Sequence, residues 1–200
     1  SYELGLNSAA ISKLQTYITK YPTSPRINEA RGVLGSIFET SRNYKDAIEL
    51  LENIPNKDAQ LQRTYQRVTF YRGLEMYQDR RNTDALALLN KSLQNPLDAS
   101  IAAQSYFWIG DIYYKEGDYS NSFNAMQSFL GRSSSVESTD KVSSATANYT
   151  IGYTLFKQGE YKAALPYFEA VEQLLGGKTK LLDARTVSSQ VYPDAIGRAG

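Results

Sequence analysis

Apolar residues recur every three or four positions through most of this chain, and short polar breaks divide them into pairs of stretches. In the segment IGYTLFKQGEYKAALPYF, which begins at Ile151, the break reads QGE. Beyond it, Ala164, Phe168 and Val171 share one stripe of a helix, because residues three or four positions apart lie on the same face. The pattern therefore predicts a helical hairpin, two antiparallel helices joined by a tight turn.

The same hairpin pattern occurs four times along the chain. Each copy has a glycine in its first predicted helix and a small residue twelve positions later in its second. The four pairs are Gly35 with Ala47, Gly73 with Ala85, Gly110 with Ser122, and Gly152 with Ala164. A glycine inside a helix costs about 1 kcal/mol relative to alanine. We infer that the two small residues face each other and allow a close approach of the two backbones, which offsets that cost.

The spacing and order of these residues resemble the tetratricopeptide repeat. Successive glycines are 38, 37 and 42 residues apart, slightly more than the ~34-residue period of that family. The third copy resembles the family signature through Tyr106, Ile109, Gly110, Tyr113, Gly117, Tyr119, Ser122, Met126 and Phe129. The fourth resembles it through Ile151, Gly152, Leu155, Gly159, Tyr161, Ala164 and Phe168. The resemblance implies an all-α fold, a right-handed α-solenoid of antiparallel helix pairs.

The chain is predicted to be a single array of such repeats taken from a longer parent protein. Stacked repeats normally need polar caps at their ends, and both ends here fit partial repeats. We predict that residues 1–22 form the second helix of a truncated repeat and that 191–200 begin another. The four complete repeats are predicted at 23–56, 57–96, 97–138 and 139–190, the last with a C-terminal insertion.

Local signals predict where several helices begin. Ser24 followed by Pro25 is typical of a helix start. Asn43 and Asp118 are predicted to cap second helices through their side-chain oxygens. One side chain among residues 138–140 is predicted to cap the helix that follows.

The composition excludes several classes of function. The chain has no cysteine and no histidine, which removes thiolate nucleophiles, imidazole bases and nearly every zinc or copper site. Lysine and arginine total 22 against 21 acidic residues, so no strong positive field attracts nucleic acid. No apolar run reaches the 18 or so residues of a transmembrane helix. We therefore predict a protein that is not an enzyme, has no cofactor or metal, and does not bind nucleic acid.

In the family that this sequence resembles, the first helices of the repeats line a concave groove. Carried over position by position, the resemblance implies two aromatic ladders, one of Phe70, Phe107 and Tyr149 and one of Tyr77, Tyr114 and Phe156. The predicted partner-binding residues are Arg67, Phe70, Tyr77, Gln104, Phe107, Asp111, Tyr114, Lys115, Tyr149, Tyr153 and Phe156, of which Lys115 is added because it follows Tyr114 directly. Tyrosine is enriched where proteins meet partners, and this chain has 16. The alternative is that the rings pack between neighbouring repeats.

The function implied by the resemblance is a non-catalytic scaffold that binds peptide segments of partner proteins in this groove. The segments TYITKYPTSPRINEARGVLG and EGDYSNSFNAMQSFL are also similar to bacterial cell-envelope members of the family, the outer-membrane assembly lipoproteins and the periplasmic Tol-Pal partner. That similarity favours a periplasmic or outer-membrane-associated location and leaves a cytoplasmic one open. The alternative function is a cell-envelope module for glycans or small ligands, since flat rings stack on sugar faces.

Overall fold

The computed structural model describes residues 2–54, 56–139 and 141–175. All regular structure in these residues is helical, which confirms the predicted all-α fold. A short 3₁₀ helix occupies Ser133–Ser135. The α-helices of the described residues are α1 (Tyr2–Lys20), α2 (Ile27–Ser41), α3 (Tyr44–Glu52), α4 (Ala59–Gln78), α5 (Asn82–Ser92), α6 (Ala99–Glu116), α7 (Tyr119–Leu130), α8 (Ser144–Lys157) and α9 (Tyr161–Leu175).

The chain divides into two compact units, Ser1–Ala102 and Ala103–Gly200. In the first unit, α2 packs against α1, α3 and α4, and α4 packs against α5. In the second unit, α8 packs against both α7 and α9, while Phe107 of α6 packs against Phe129 of α7. Each unit therefore has an apolar core of its own.

Helices α2 to α9 lie in order as pairs within the residue ranges predicted for the four repeats. The exact repeat boundaries and the right-handed superhelix stay predictions. The predicted C-terminal insertion, from residue 176 onward, and the truncated repeat at 191–200 lie outside the described residues.

The repeat glycines of the second unit make room for a large side chain, rather than only for the predicted small one. A Cβ atom on Gly110 would lie 2.8 Å from Cγ of Met126, and one on Gly152 would lie 2.7 Å from Cε1 of Phe168. Both large residues come one helical turn after the small residue of the pair. Ser122, one of those small residues, is fully buried and donates a 2.9 Å hydrogen bond to the Gly110 carbonyl. The glycine and the small residue together therefore allow a large side chain of the second helix to pack directly against the first helix.

In the first unit, Gly35 serves a different contact. The atom nearest to a Cβ added at this glycine is Oγ1 of Thr64, at 2.7 Å, and Thr64 belongs to α4. One turn earlier, a Cβ on Gly32 would lie 2.9 Å from Nε2 of Gln60. The atoms nearest to this glycine thus belong to the first helix of the next pair, and the predicted facing of Gly35 and Ala47 stays a prediction.

The turns inside the four helix pairs share one backbone conformation. The residue seven positions after each repeat glycine has a positive φ: 54° at Arg42, 60° at Arg80, 78° at Gly117 and 80° at Gly159. In the last three pairs, the backbone N–H of the next residue donates a hydrogen bond to a carbonyl of the first helix. The acceptor is the apolar residue three positions after the repeat glycine. These bonds are Arg81 to Met76 (2.8 Å), Asp118 to Tyr113 (2.9 Å) and Glu160 to Leu155 (2.9 Å). This pattern closes the C-terminus of the first helix.

The predicted cap at Asp118 is confirmed, since its side chain accepts a hydrogen bond from the Asn121 backbone N–H at 3.1 Å. Asn43 stands at the corresponding position of α3 but makes no side-chain cap. Its amide nitrogen instead contacts the Asp46 carboxylate at 2.6 Å, so the prediction for Asn43 is wrong.

Two predicted helix starts lie too early in the chain. Helix α2 begins at Ile27, after Ser24 and Pro25 have formed a turn. Helix α8 is capped by Ser143, whose hydroxyl accepts from the Thr146 N–H at 3.1 Å. The predicted cap at 138–140 is therefore wrong, because the link before α8 continues beyond those residues.

Candidate functional site

The second unit brings four of the predicted binding residues together. Tyr114 lies on α6, and Tyr149, Tyr153 and Phe156 lie on α8. The ring centroids of Tyr149 and Tyr153 are 4.8 Å apart, and those of Tyr153 and Phe156 are 6.3 Å apart. Tyr114 interacts electrostatically with both Tyr149 and Tyr153. All four side chains are half-buried, and we name this surface the tyrosine face.

The helical period places the α8 residues on one side, since positions 149, 153 and 156 are four and three residues apart. Rings from the second helices support them from behind. Phe168 meets Tyr153 edge-on at 5.7 Å, Tyr161 meets Phe156 at 5.1 Å, and Tyr119 lies 6.1 Å from Tyr114. The rings are thus held by packing.

Sequence reasoning gave Tyr119 and Tyr161 no role at the site. The signal was present, because both stand nine positions after their repeat glycine.

Tyrosine hydroxyls are protonated at neutral pH in any case, and on the tyrosine face burial extends this protonated range to higher pH. It is the main cause that raises the pKa of Tyr149 far above its ordinary value, and the hydrogen bond that Tyr149 donates to Tyr153 adds to this. Burial also raises the pKa of Tyr153, although accepting that bond works in the opposite direction. The pKa of Tyr114 is raised by burial and then by its neighbours Tyr153, Tyr119 and Asp111. These groups therefore act as neutral hydrogen-bond donors and acceptors.

A charged pair borders Tyr114 on α6. Lys115 Nζ lies 2.8 Å from Asp111 Oδ2, and about half of the Lys115 side chain (53%) stays exposed. Gln104, also predicted, is half-buried two turns earlier on the same helix. This edge of the site therefore offers both a cation and an acceptor.

Two predicted binding residues belong to the core instead. Phe70 is only 1% exposed and Phe107 only 2%. Phe107 packs edge-on against Phe129, with ring centroids 5.2 Å apart. The prediction that these two rings contact a partner is corrected, because both are buried in the apolar core. Tyr149, at the equivalent position of the fourth repeat, stays half-exposed.

The predicted residues of the first unit have separate surroundings. Tyr77 is half-buried. Arg67 is also half-buried, and its Nε lies 3.3 Å from Asp98 Oδ2. It lines a cleft of about 540 Å³ together with Arg42, Tyr44, Tyr71, Leu74, Glu75 and Gln78. Sequence reasoning missed Arg42, Tyr44 and Tyr71, although Tyr44 stands at the repeat position of Tyr119 and Tyr161.

The fold is that of a helical-repeat protein, and comparison with known families finds a match to part of the chain. The tetratricopeptide repeat model matches residues 103–134 and 145–174. These ranges coincide with the helix pairs α6–α7 and α8–α9, so two segments of the chain are similar to tetratricopeptide repeats. Such repeats generally mediate protein–protein interaction and are typically non-catalytic scaffolds. Comparison with curated proteins gives no match.

Two further observations concern the part of the chain that the structure describes. None of its helices combines the length and the apolar character needed to cross a bilayer. Nor do three or more carboxylates come together there in a way that would hold a metal ion.

Proposed function

We propose that this chain is a non-catalytic scaffold that binds peptide segments of partner proteins on the tyrosine face of its second unit. The observation that carries the proposal is the convergence of Tyr114, Tyr149, Tyr153 and Phe156 from two first helices, with each ring half-buried. Large rings with polar tips are frequent at the centres of protein interfaces. Because packing already holds the rings, little side-chain freedom is lost on binding.

The chemistry of the face suits a peptide ligand. The neutral hydroxyls pair with backbone N–H and C=O groups, and the rings cover apolar side chains. Lys115 and Asp111 at the edge supply one positive and one negative group for polar side chains of the ligand. Such a site recognises an extended or helical segment without any chemical reaction.

The proposal is tested by selecting, from a displayed library of random peptides, those that bind the chain without substitutions. We expect Tyr149→Ala and Tyr153→Ala to weaken the dissociation constants of the selected peptides by at least about tenfold, as for interface hot spots. Tyr21→Ala is the matched control, since that side chain is 50% exposed in the first unit. Fluorescence anisotropy measures the affinities, and circular dichroism verifies that each variant is folded.

Failure to select any peptide would contradict the proposal. Selected peptides that bind the Tyr149 and Tyr153 variants as tightly as they bind the unsubstituted chain would also contradict it. An equal loss of affinity for Tyr21→Ala would point to an unspecific effect of removing tyrosine.

The family match supports a protein partner rather than a glycan. The rings of the tyrosine face are tilted by 57° between Tyr149 and Tyr153 and by 57° between Tyr153 and Phe156, so they present no single flat platform for a sugar. A cell-envelope location stays a prediction that rests on the two sequence segments quoted above.

A further inference from the structure

The cleft in the first unit differs in chemistry from the tyrosine face. It is formed by the end of α2, the start of α3 and one side of α4, and its volume is about 540 Å³. That volume lies within the range of known ligand clefts. All of its lining residues belong to the first unit.

One wall of the cleft is aromatic. The rings of Tyr44 and Tyr71 are stacked, with centroids 5.5 Å apart and planes 22° from parallel. Phe70, which is buried, holds Tyr71 edge-on at 5.3 Å. Tyr71 nevertheless remains 38% exposed, and Leu74 extends the apolar surface. The wall therefore offers a fixed ring face to an apolar or aromatic side chain.

The cleft is also lined by two arginines and a single carboxylate. Arg42 and Arg67 supply the positive charge. Asp98 Oδ2 lies 3.3 Å from Arg67 Nε and offsets part of it, while 42% of the Arg67 side chain stays exposed. The carboxylate of Glu75 is engaged by Arg72 at 2.7 Å, which offsets its charge. A guanidinium group matches the planar geometry of a carboxylate and binds it through two parallel hydrogen bonds.

We propose that this cleft binds an acidic peptide segment in which aspartate or glutamate side chains flank an apolar or aromatic residue. The carboxylates meet Arg42 and Arg67, while the apolar residue packs on Tyr71 and Leu74. A peptide is favoured over single-stranded nucleic acid because the whole chain carries a net charge of only +1 and the match to the tetratricopeptide repeat supports a protein partner. The proposal uses none of the residues of the tyrosine face, so either site can fail without the other.

The test uses the full chain and a fluorescein-labelled peptide, Glu-Glu-Phe-Glu-Glu, with its remaining terminus blocked, in anisotropy titrations at low salt. The matched probe Gln-Gln-Phe-Gln-Gln has the same shape without the charges. We expect the acidic probe to bind at least about tenfold more tightly than the glutamine probe, and to lose affinity as salt is raised.

Arg42→Gln is the principal variant, because this side chain is exposed and the change removes one charge. Arg80→Gln is its control: Arg80 has the same positive φ at the equivalent turn but does not line the cleft. We expect Arg42→Gln and Arg67→Gln each to weaken the acidic probe by about tenfold, and Arg80→Gln to leave its affinity unchanged. Tyr149→Ala is also expected to have no effect.

Several results would overturn the inference. They are equal binding of the acidic and glutamine probes, no binding at millimolar protein, and a loss for Arg80→Gln as large as that for Arg42→Gln. Displacement of the acidic probe by an oligothymidine strand at lower concentration than by unlabelled peptide would assign the cleft to single-stranded nucleic acid instead. A loss of acidic-probe binding in Tyr149→Ala would show that the probe binds to the tyrosine face and not in the cleft.

Discussion

The two units use the same hairpin design with different residues at the same positions. In the second unit, Gly117 and Gly159 form the turns within the helix pairs, whereas the first unit has Arg42 and Arg80 there, also with positive φ. Side chains adopt this conformation less readily than glycine does. The positive φ at the turn is therefore a shared property of the hairpins, and either glycine or arginine can occupy that position.

Glycines of the two units also differ in the side chains that they face. Gly152 faces the rigid, buried ring of Phe168 in its own pair, whereas Gly32 faces only the end of the flexible, exposed Gln60 side chain on α4. Close packing within a pair occurs in both units, since a Cβ on Gly73 would lie 3.0 Å from Cγ of Leu89 on α5, whereas Gly32 makes a looser contact between pairs.

The largest effect is expected from Phe107→Ala in the second unit. Because the ring is buried, its removal leaves a cavity, and we expect a loss of about 3–5 kcal/mol in the free energy of unfolding. Tyr153→Ala, which removes a half-buried ring, is expected to lose roughly 1–2 kcal/mol. Urea denaturation measures the loss of unfolding free energy in both variants. If Phe107→Ala lost no more than Tyr153→Ala, Phe107 would again be a candidate binding residue.

The next largest effect compares one substitution at two glycines. A methyl group on Gly152 would lie 2.7–2.9 Å from three atoms of the Phe168 ring, so we expect Gly152→Ala to destabilise the fold by about 1–3 kcal/mol. Gly32→Ala is expected to be neutral or to stabilise by up to about 1 kcal/mol, since Gln60 moves aside and alanine favours the helix. Thermal or urea unfolding tests the pair, and the opposite order would refute the distinction between the two glycine environments.

Alkaline pH provides a third test. Burial raises the pKa of Tyr149 in the second unit and of Tyr65 in the first, where the Tyr65 hydroxyl also donates to Glu52 at 2.8 Å. In the unfolded chain tyrosine ionises near pH 10. Above that pH the unfolded state releases protons that the folded state retains, so each group lowers stability by up to ~1.4 kcal/mol per pH unit.

Below about pH 10 neither tyrosine contributes to the pH dependence. Unfolding free energies measured from pH 8 to 11 should therefore be flat at first and then fall. Tyr149→Phe and Tyr65→Phe should each make the alkaline fall less steep, and an unchanged slope in either variant would contradict the assigned burial.

The smallest effect concerns the turns. Gly117→Ala places a side chain at φ 78° and is expected to destabilise by about 1 kcal/mol. Arg80→Gly relieves the backbone but gives the unfolded chain more freedom, so we expect a change of less than about 1 kcal/mol. Chemical denaturation compares the two, and a large loss for Arg80→Gly would show that this arginine stabilises the fold by its side chain.

The success of sequence reasoning varied from one residue to the next for physical reasons. The cap at Asp118 follows from a local hydrogen bond, but Asn43 at the same position found a competing partner in Asp46. Tyr149 and Tyr153 were predicted to bind a partner through the family resemblance, and their contact follows from their spacing of four residues on one helix. The cleft at Arg42 and Tyr71 was not found, because it joins residues of different helices that no local pattern connects.

The sequence by itself determined the helices, their pairing and the places where each pair turns, because these depend on a 3.6-residue period, on small residues and on short hydrogen bonds near in the chain. Only the tertiary structure decided which rings are available to a partner. Phe107 and Tyr149 occupy the same repeat position, yet one is 2% exposed and the other half-buried. Burial is set by the side chains that neighbouring helices place around a ring, and those neighbours lie far away in sequence.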